Sequence, residues 1–157
     1  MRRPAGAPGL SGRQCVFLPD LPADDPVRRE AIAPCGMNCA LCAVYQREKK
    51  NCPGCRADGA GKPGHCRNCA IKSCAMERTE GGRCEACPDF PCERVKRLDR
   101  RYQKQYNVSL LENLRTVQTE GMDAFLQKEG ARWTCYACGE RLCVHENTCP
   151  SCGRERK

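Results

Sequence analysis

Cysteines recur two residues apart along this chain: Cys39 with Cys42, Cys52 with Cys55, Cys66 with Cys69, Cys84 with Cys87, Cys135 with Cys138 and Cys149 with Cys152. A C-x2-C pair lets two sulfurs face one ion, which suits tetrahedral zinc or an iron–sulfur cluster. Seventeen cysteines stand in 157 residues. That density belongs to a secreted disulfide scaffold or to a metal protein. The opening MRRPAGAPGL places Pro4, Gly6, Pro8 and Gly9 where a secretory signal needs an apolar run. The reading therefore expects metal, and a cytoplasmic location.

Large apolar residues are sparse, with only three Phe and one Trp. Such a chain buries little apolar area, so its packing energy is small. Each structural zinc can supply on the order of 10 kcal/mol of folding free energy instead. The expected fold is a small metal-stabilised α+β protein. It has a cysteine-rich knuckle core with short helices, then further helices and a C-terminal zinc ribbon of two β-hairpins. No run of about 18 apolar residues is present, so no membrane span is expected. The formal charge of +8 invites a nucleic-acid reading. It is discounted, because four thiolates around one Zn²⁺ leave about −2, and four such centres would cancel the excess. Few aromatic residues are present for base stacking.

Four segments follow from composition. Residues 1–31 hold five prolines and the isolated Cys15, and read as a disordered extension. Residues 32–92 form the cysteine-rich metal-binding core. There Asn38 can cap a short helix running to about Arg47, with Cys39 and Cys42 one turn apart on it. The C-x3-C-x2-C spacing of Cys35, Cys39 and Cys42 also serves radical S-adenosylmethionine chemistry. That reading is set aside, because the chain has neither the length nor the alternating strands and helices of the barrel such chemistry uses. Cys52 and Cys55 form a Cys-Pro-Gly-Cys knuckle, where Pro fixes one dihedral and Gly permits the turn. Cys66, Cys69 and Cys74, then Cys84, Cys87 and Cys92, repeat one C-x2-C-x4-C pattern 18 residues apart, suggesting two similar half-sites. The core thus offers eleven thiols, and His65 would make a twelfth ligand. Their grouping stays open, for the reason that spacing alone cannot assign disulfides.

Residues 93–131 read as helical. Val95, Leu98, Tyr102 and Tyr106 mark one stripe. Ser109 with Glu112 has the pattern of a capping box. Gly121 fits a stop, and Gly130 would end a last short helix around Met122, Phe125 and Leu126. Residues 132–157 read as a zinc ribbon. Two C-x2-C-G knuckles, Cys135 with Cys138 and Cys149 with Cys152, would hold four sulfurs about 2.3 Å from one Zn²⁺. Cys143 and His145 lie between the knuckles and could exchange in as ligands. The ribbon leaves no open coordination position, so its expected role is structural.

The runs IAPCGMNCALCAVYQREKKNCPGCR, CRNCAIKSC, CEACPDFPCERVKRLDRRY and GMDAFLQKEGARWTCYACGERLCVHENTCPSCG resemble a cysteine-rich bacterial and archaeal family labelled domain of unknown function 3795. The resemblance covers about residues 32–153 and implies a cytoplasmic metal-binding protein of uncharacterised role. Three functions are carried forward. The first is a zinc-stabilised module whose surface binds another protein or a nucleic acid. The second is an iron–sulfur redox protein with [4Fe–4S] clusters in the core and zinc only in the ribbon. The third is thiolate metal storage or delivery, which packed helices argue against. Catalytic residues are not found: there is no serine–histidine–acid set, phosphate loop or evident acid/base pair. If metal supplies the folding energy, chelation under reducing conditions should leave residues 35–92 unprotected. Hydrogen exchange followed by mass spectrometry would read this as loss of protection across that span, restored on metal readdition.

Overall fold

The computed structural model describes residues 28–157, so Cys15 and the rest of the 1–27 extension lie outside the described residues. Five α-helices follow a turn-rich first third: a single turn α1 (Gly64–Arg67), then α2 (Ala70–Arg78), α3 (Glu93–Tyr106), α4 (Leu110–Glu120) and α5 (Met122–Arg132). The described chain begins packing before the expected boundary at 31. Arg29–Ala31 makes a 3-10 turn, Ala31 is buried, and Arg29 pairs with Asp123 at the start of α5.

α3 carries Glu and basic residues on its outer face and turns Val95 inward, with Leu98, Tyr102 and Tyr106 half-buried behind it. Asn107 ends it in the left-handed conformation, φ 55°. The corner into α4 is locked by the buried Asp99. Its carboxylate accepts from the Leu111 amide and the Ser109 hydroxyl at 3.0 Å each, and from the Gln103 side chain. Ser109 Oγ in turn accepts the Glu112 amide, the N-cap bond that satisfies one of the helix's orphan donors. α4 ends at Gly121, as the sequence suggests. α5 runs past Gly130 to Arg132. Gly130 is buried inside the helix, and the Trp133 amide closes onto Glu129 O.

The largest apolar cluster joins the 33–41 turn, the corner between α3 and α4, and the C-terminal segment. Ala33, Met37 and Leu41 meet Val108 and Leu110, and both meet Trp133, Leu142 and Val144 of the C-terminal segment. Gly36 sits where the chain passes α4. A Cβ there would stand 2.7 Å from Leu110 O and 2.8 Å from Leu114 Cγ, and its φ is +85°.

Two expectations are corrected. The helix foreseen from Asn38 to Arg47 is only a 3-10 turn over Cys39–Leu41, although Asn38 Oδ1 does cap it through the Ala40 amide. Continuation is blocked because the C-terminal segment claims its polar groups. The Leu41 carbonyl accepts from the Val144 amide, and Gln46 Nε2 donates to Ala40 O and Leu142 O. The α+β class with a β-hairpin pair is also not what forms: the protein is mostly helical, and among the described residues there is no sheet. Each C-terminal loop closes on one isolated antiparallel bridge, Thr134 with Arg141 and Thr148 with Glu155. Longer strands cannot grow from the first loop. α5 occupies its leading side up to Arg132, and residues 143–145 leave to bond the 41–43 turn.

Gly36→Ala should cost about 2–4 kcal/mol, combining left-handed strain with a backbone clash that cannot relax. Gly81→Ala, at φ +75° with nothing near its Cβ, should cost only about 1 kcal/mol. Thermal unfolding of the two metal-loaded variants checks the order.

Candidate metal centre

The two C-terminal knuckles are built alike. In each, the first cysteine's amide bonds across the loop, Cys135 N to Glu140 O and Cys149 N to Arg154 O, both at 2.8 Å. The following glycine donates back, Gly139 N to Cys135 O and Gly153 N to Cys149 O. Both glycines need positive φ, 76° and 71°, to do so. A second bond widens each loop, Leu142 N to Trp133 O and Arg156 N to Asn147 O. The chain thus repeats one knuckle loop with a 14-residue shift.

The repeat brings four sulfurs together. Those of Cys135, Cys138, Cys149 and Cys152 all lie within 4.8 Å of one another. Cys135 stands 3.7 Å from Cys152 and Cys138 stands 3.6 Å from Cys149, so each short pair takes one sulfur from each knuckle. A tetrahedron of sulfurs about 2.3 Å from one ion has edges of about 3.8 Å, which these distances match. Cys135 and Cys149 are buried on the core side, while Cys138 and Cys152 face solvent. The amides of Ala137 and Cys138 point at Cys135 Sγ and hold its thiol down, while burial and the neighbouring sulfurs push Cys138 up, so the first thiolate of the group forms at Cys135.

Cys143 and His145 stand outside this set. Cys143 is buried, and burial pushes its thiol up, with Cys42 among its neighbours. His145 Nδ1 accepts the Ala43 amide at 3.2 Å, and its ring lies edge-on to Tyr106 at 4.8 Å. That bond fixes the neutral tautomer with its proton on Nε2. Arg156 completes the joint, donating to Tyr106 O at 2.7 Å and Val144 O at 3.2 Å while its guanidinium covers Trp133.

The eleven core cysteines are arranged differently. Burial pushes Cys35 and Cys39 up to about 12, with Cys55 a neighbouring charge for both. The Cys55 amide donates to Cys39 Sγ at 3.3 Å. Cys66 has Cys52, Cys55, Cys42 and Cys69 around it, and burial raises its thiol too. Cys74, Cys84, Cys87 and Cys92 line one cavity beside α2 and the start of α3. His65 is exposed on α1, apart from any of these contacts. Among the described residues, only the C-terminal four bring three or more ligand atoms within 4.8 Å of one another.

One residue of this region carried no signal in the sequence. Lys62 is buried, and its ammonium donates to Cys55 O at 2.8 Å and Ala57 O at 2.6 Å. Burial raises the Cys55 thiol, while Lys62, Lys72 and Arg56 pull it back. A lysine in a Gly-Lys-Pro-Gly loop reads as surface. Only the fold buries it against a thiol.

The protein is therefore a cysteine-rich chain with a four-cysteine group near its C-terminus that can hold a metal ion. Residues 31–97 match the family model described as a protein of unknown function (DUF3795). The match ends within α3, so α4, α5 and the C-terminal knuckles lie beyond it. No curated protein and no solved structure matches the chain. No helix among the described residues is long and apolar enough to cross a membrane.

Burial lowers His145 below its ordinary 6.5, so the folded state binds fewer protons there than the unfolded chain. Its contribution is complete above 6.5 and is lost as pH falls below that value. His145→Ala should cost about 1 kcal/mol at pH 7.5, from the bond to the Ala43 amide. The gap to the wild type should narrow as pH drops from 6.5 to 5.5, as read by denaturant titration at each pH.

Proposed function

We propose that the protein is a metal–thiolate scaffold. Cys135, Cys138, Cys149 and Cys152 hold a structural Zn²⁺, the thiols of residues 35–92 hold further metal, and the surface so fixed binds another macromolecule. The observation that carries this reading is the closeness of the two cross-knuckle pairs, 3.6 and 3.7 Å. Four sulfurs at that spacing fill every position of a tetrahedral ion and leave none for substrate. Zinc fits better than a harder cation because all four ligands are thiolates. A protein partner is favoured over nucleic acid, since thiolate centres neutralise much of the basic excess. The chain's setting is taken as cytoplasmic, where thiols stay reduced.

A second reading is an iron–sulfur protein in which the ribbon is only a zinc staple. One observation favours it: the core thiols do not close into tetrahedra as the ribbon's do.

Metal analysis of protein purified without oxygen tests the ribbon. Cys149→Ala should lower zinc by about one per chain and reduce the melting temperature by several degrees. Unchanged zinc in that variant would remove the ribbon site from the reading. A wild type whose visible absorption bleaches on reduction would favour the iron–sulfur alternative over zinc alone.

A further inference from the structure

α2, the 3-10 turn Cys84–Ala86 and the first turn of α3 meet around a cavity of about 30 Å³. A water molecule needs only about 10–15 Å³, so the space admits a body larger than one water. Its wall is made of Cys74, Cys84, Cys87 and Cys92 together with Ile71, Ala75, Phe90 and Val95. Protein interiors close such voids with side chains unless something else fills them. Here four of the lining residues are cysteines.

Their spacing decides what fits. Around one zinc ion, sulfurs touch at about 3.8 Å and leave no cavity, as in the ribbon. Around a cube of four irons and four sulfides, cysteine sulfurs stand roughly 6 Å apart, because the cube lies between them. These four thiols surround open space, and no three of them reach the 4.8 Å that the ribbon sulfurs reach.

The start of α3 suits an anionic guest. A cubane with four thiolates carries about −2 in its oxidised form. The stems of Arg78 and Arg94 border the cavity, and the Arg78 guanidinium pairs outside it with Asp89 at 2.7 Å. Cys92 is the N-cap residue of the 14-residue α3, and its side chain caps no amide. The unpaired amides and positive end of that helix therefore sit at the cavity mouth. Cys84 lies deepest. Among the four it is the one that is buried.

We infer that Cys74, Cys84, Cys87 and Cys92 form a second four-thiolate centre, separate from the ribbon, and that the cavity between them takes a [4Fe–4S] cluster. The inference rests on the reading that the core thiols hold metal, and narrows it to four residues and one guest. It also joins the last cysteine of the first C-x2-C-x4-C run to the whole of the second, so the two runs do not make equivalent half-sites.

The test uses the full chain, produced with iron and sulfide supply and purified without oxygen. Iron, acid-labile sulfide and zinc are counted per chain for the wild type, Cys87→Ala and Cys149→Ala. Cys87→Ala should lose about four iron and about four sulfide while keeping the ribbon zinc, and Cys149→Ala should do the reverse. Retention of zinc in Cys87→Ala shows that the variant is folded. If it loses everything, Cys92→Ser, at the cavity's exposed rim, is counted in its place. Wild-type protein with more than one zinc and no sulfide would overturn the cubane. Iron and sulfide that persist in both cavity variants would overturn the assignment of these four residues and leave core metal standing. A wild type with the ribbon zinc alone would overturn both.

Discussion

Hydrogen bonds between residues 40–46 and 142–145, from backbone and side chains, hold this protein in one piece. Val144 donates to Leu41 O, Ala43 donates to His145 Nδ1, and Gln46 bridges Ala40 O and Leu142 O. These bonds are made between segments about a hundred residues apart, and they occupy groups that a continued helix would use for itself. The turn at Cys39–Leu41 stops after three residues for that reason. The C-terminal loops are anchored against the same turn, so Trp133, Leu142 and Val144 are buried there with Leu41 and Leu110. Fully burying a side chain of that size contributes about 1.5–3 kcal/mol. The four-cysteine group and the apolar core thus stabilise each other, since Cys135 and Cys149 are members of both.

Two thiol environments result. Two of the C-terminal sulfurs are buried and two face solvent, in loops whose amides point at Cys135 and hold it toward its thiolate. Among the core sulfurs, burial first and neighbouring thiols next push Cys35, Cys39 and Cys84 up to about 12. Buried thiolates are stable only beside positive charge. Part of it comes from Lys62, whose ammonium is buried next to Cys55.

Much of the helical half is legible in the sequence, because its signals are local. Val95, Leu98 and Tyr102 recur at helical spacing and do face inward, Ser109 caps α4, and Gly121 ends it. The ribbon's ligand set is legible for a similar reason: two knuckles with a glycine after each are self-contained. Asp99 and Lys62 are not legible. Each is a charged residue in a charged stretch, and its burial is created by elements arriving from elsewhere. Gly130 misleads, since a buried helix interior can call for a glycine as readily as a helix end can.

The sequence by itself determined that four cysteines close into one group at its C-terminus, and where α3 and α4 lie. Those facts follow from spacings of two to four residues, a range over which backbone geometry dictates which side chains can meet. The tertiary structure alone decided that the ribbon hairpins stay single bridges and that the helix after Asn38 stops at once. It alone decided which of the eleven core cysteines share a cavity. Those outcomes depend on contacts between distant segments, each competing for the same backbone groups and the same buried space, and no local pattern encodes the winner.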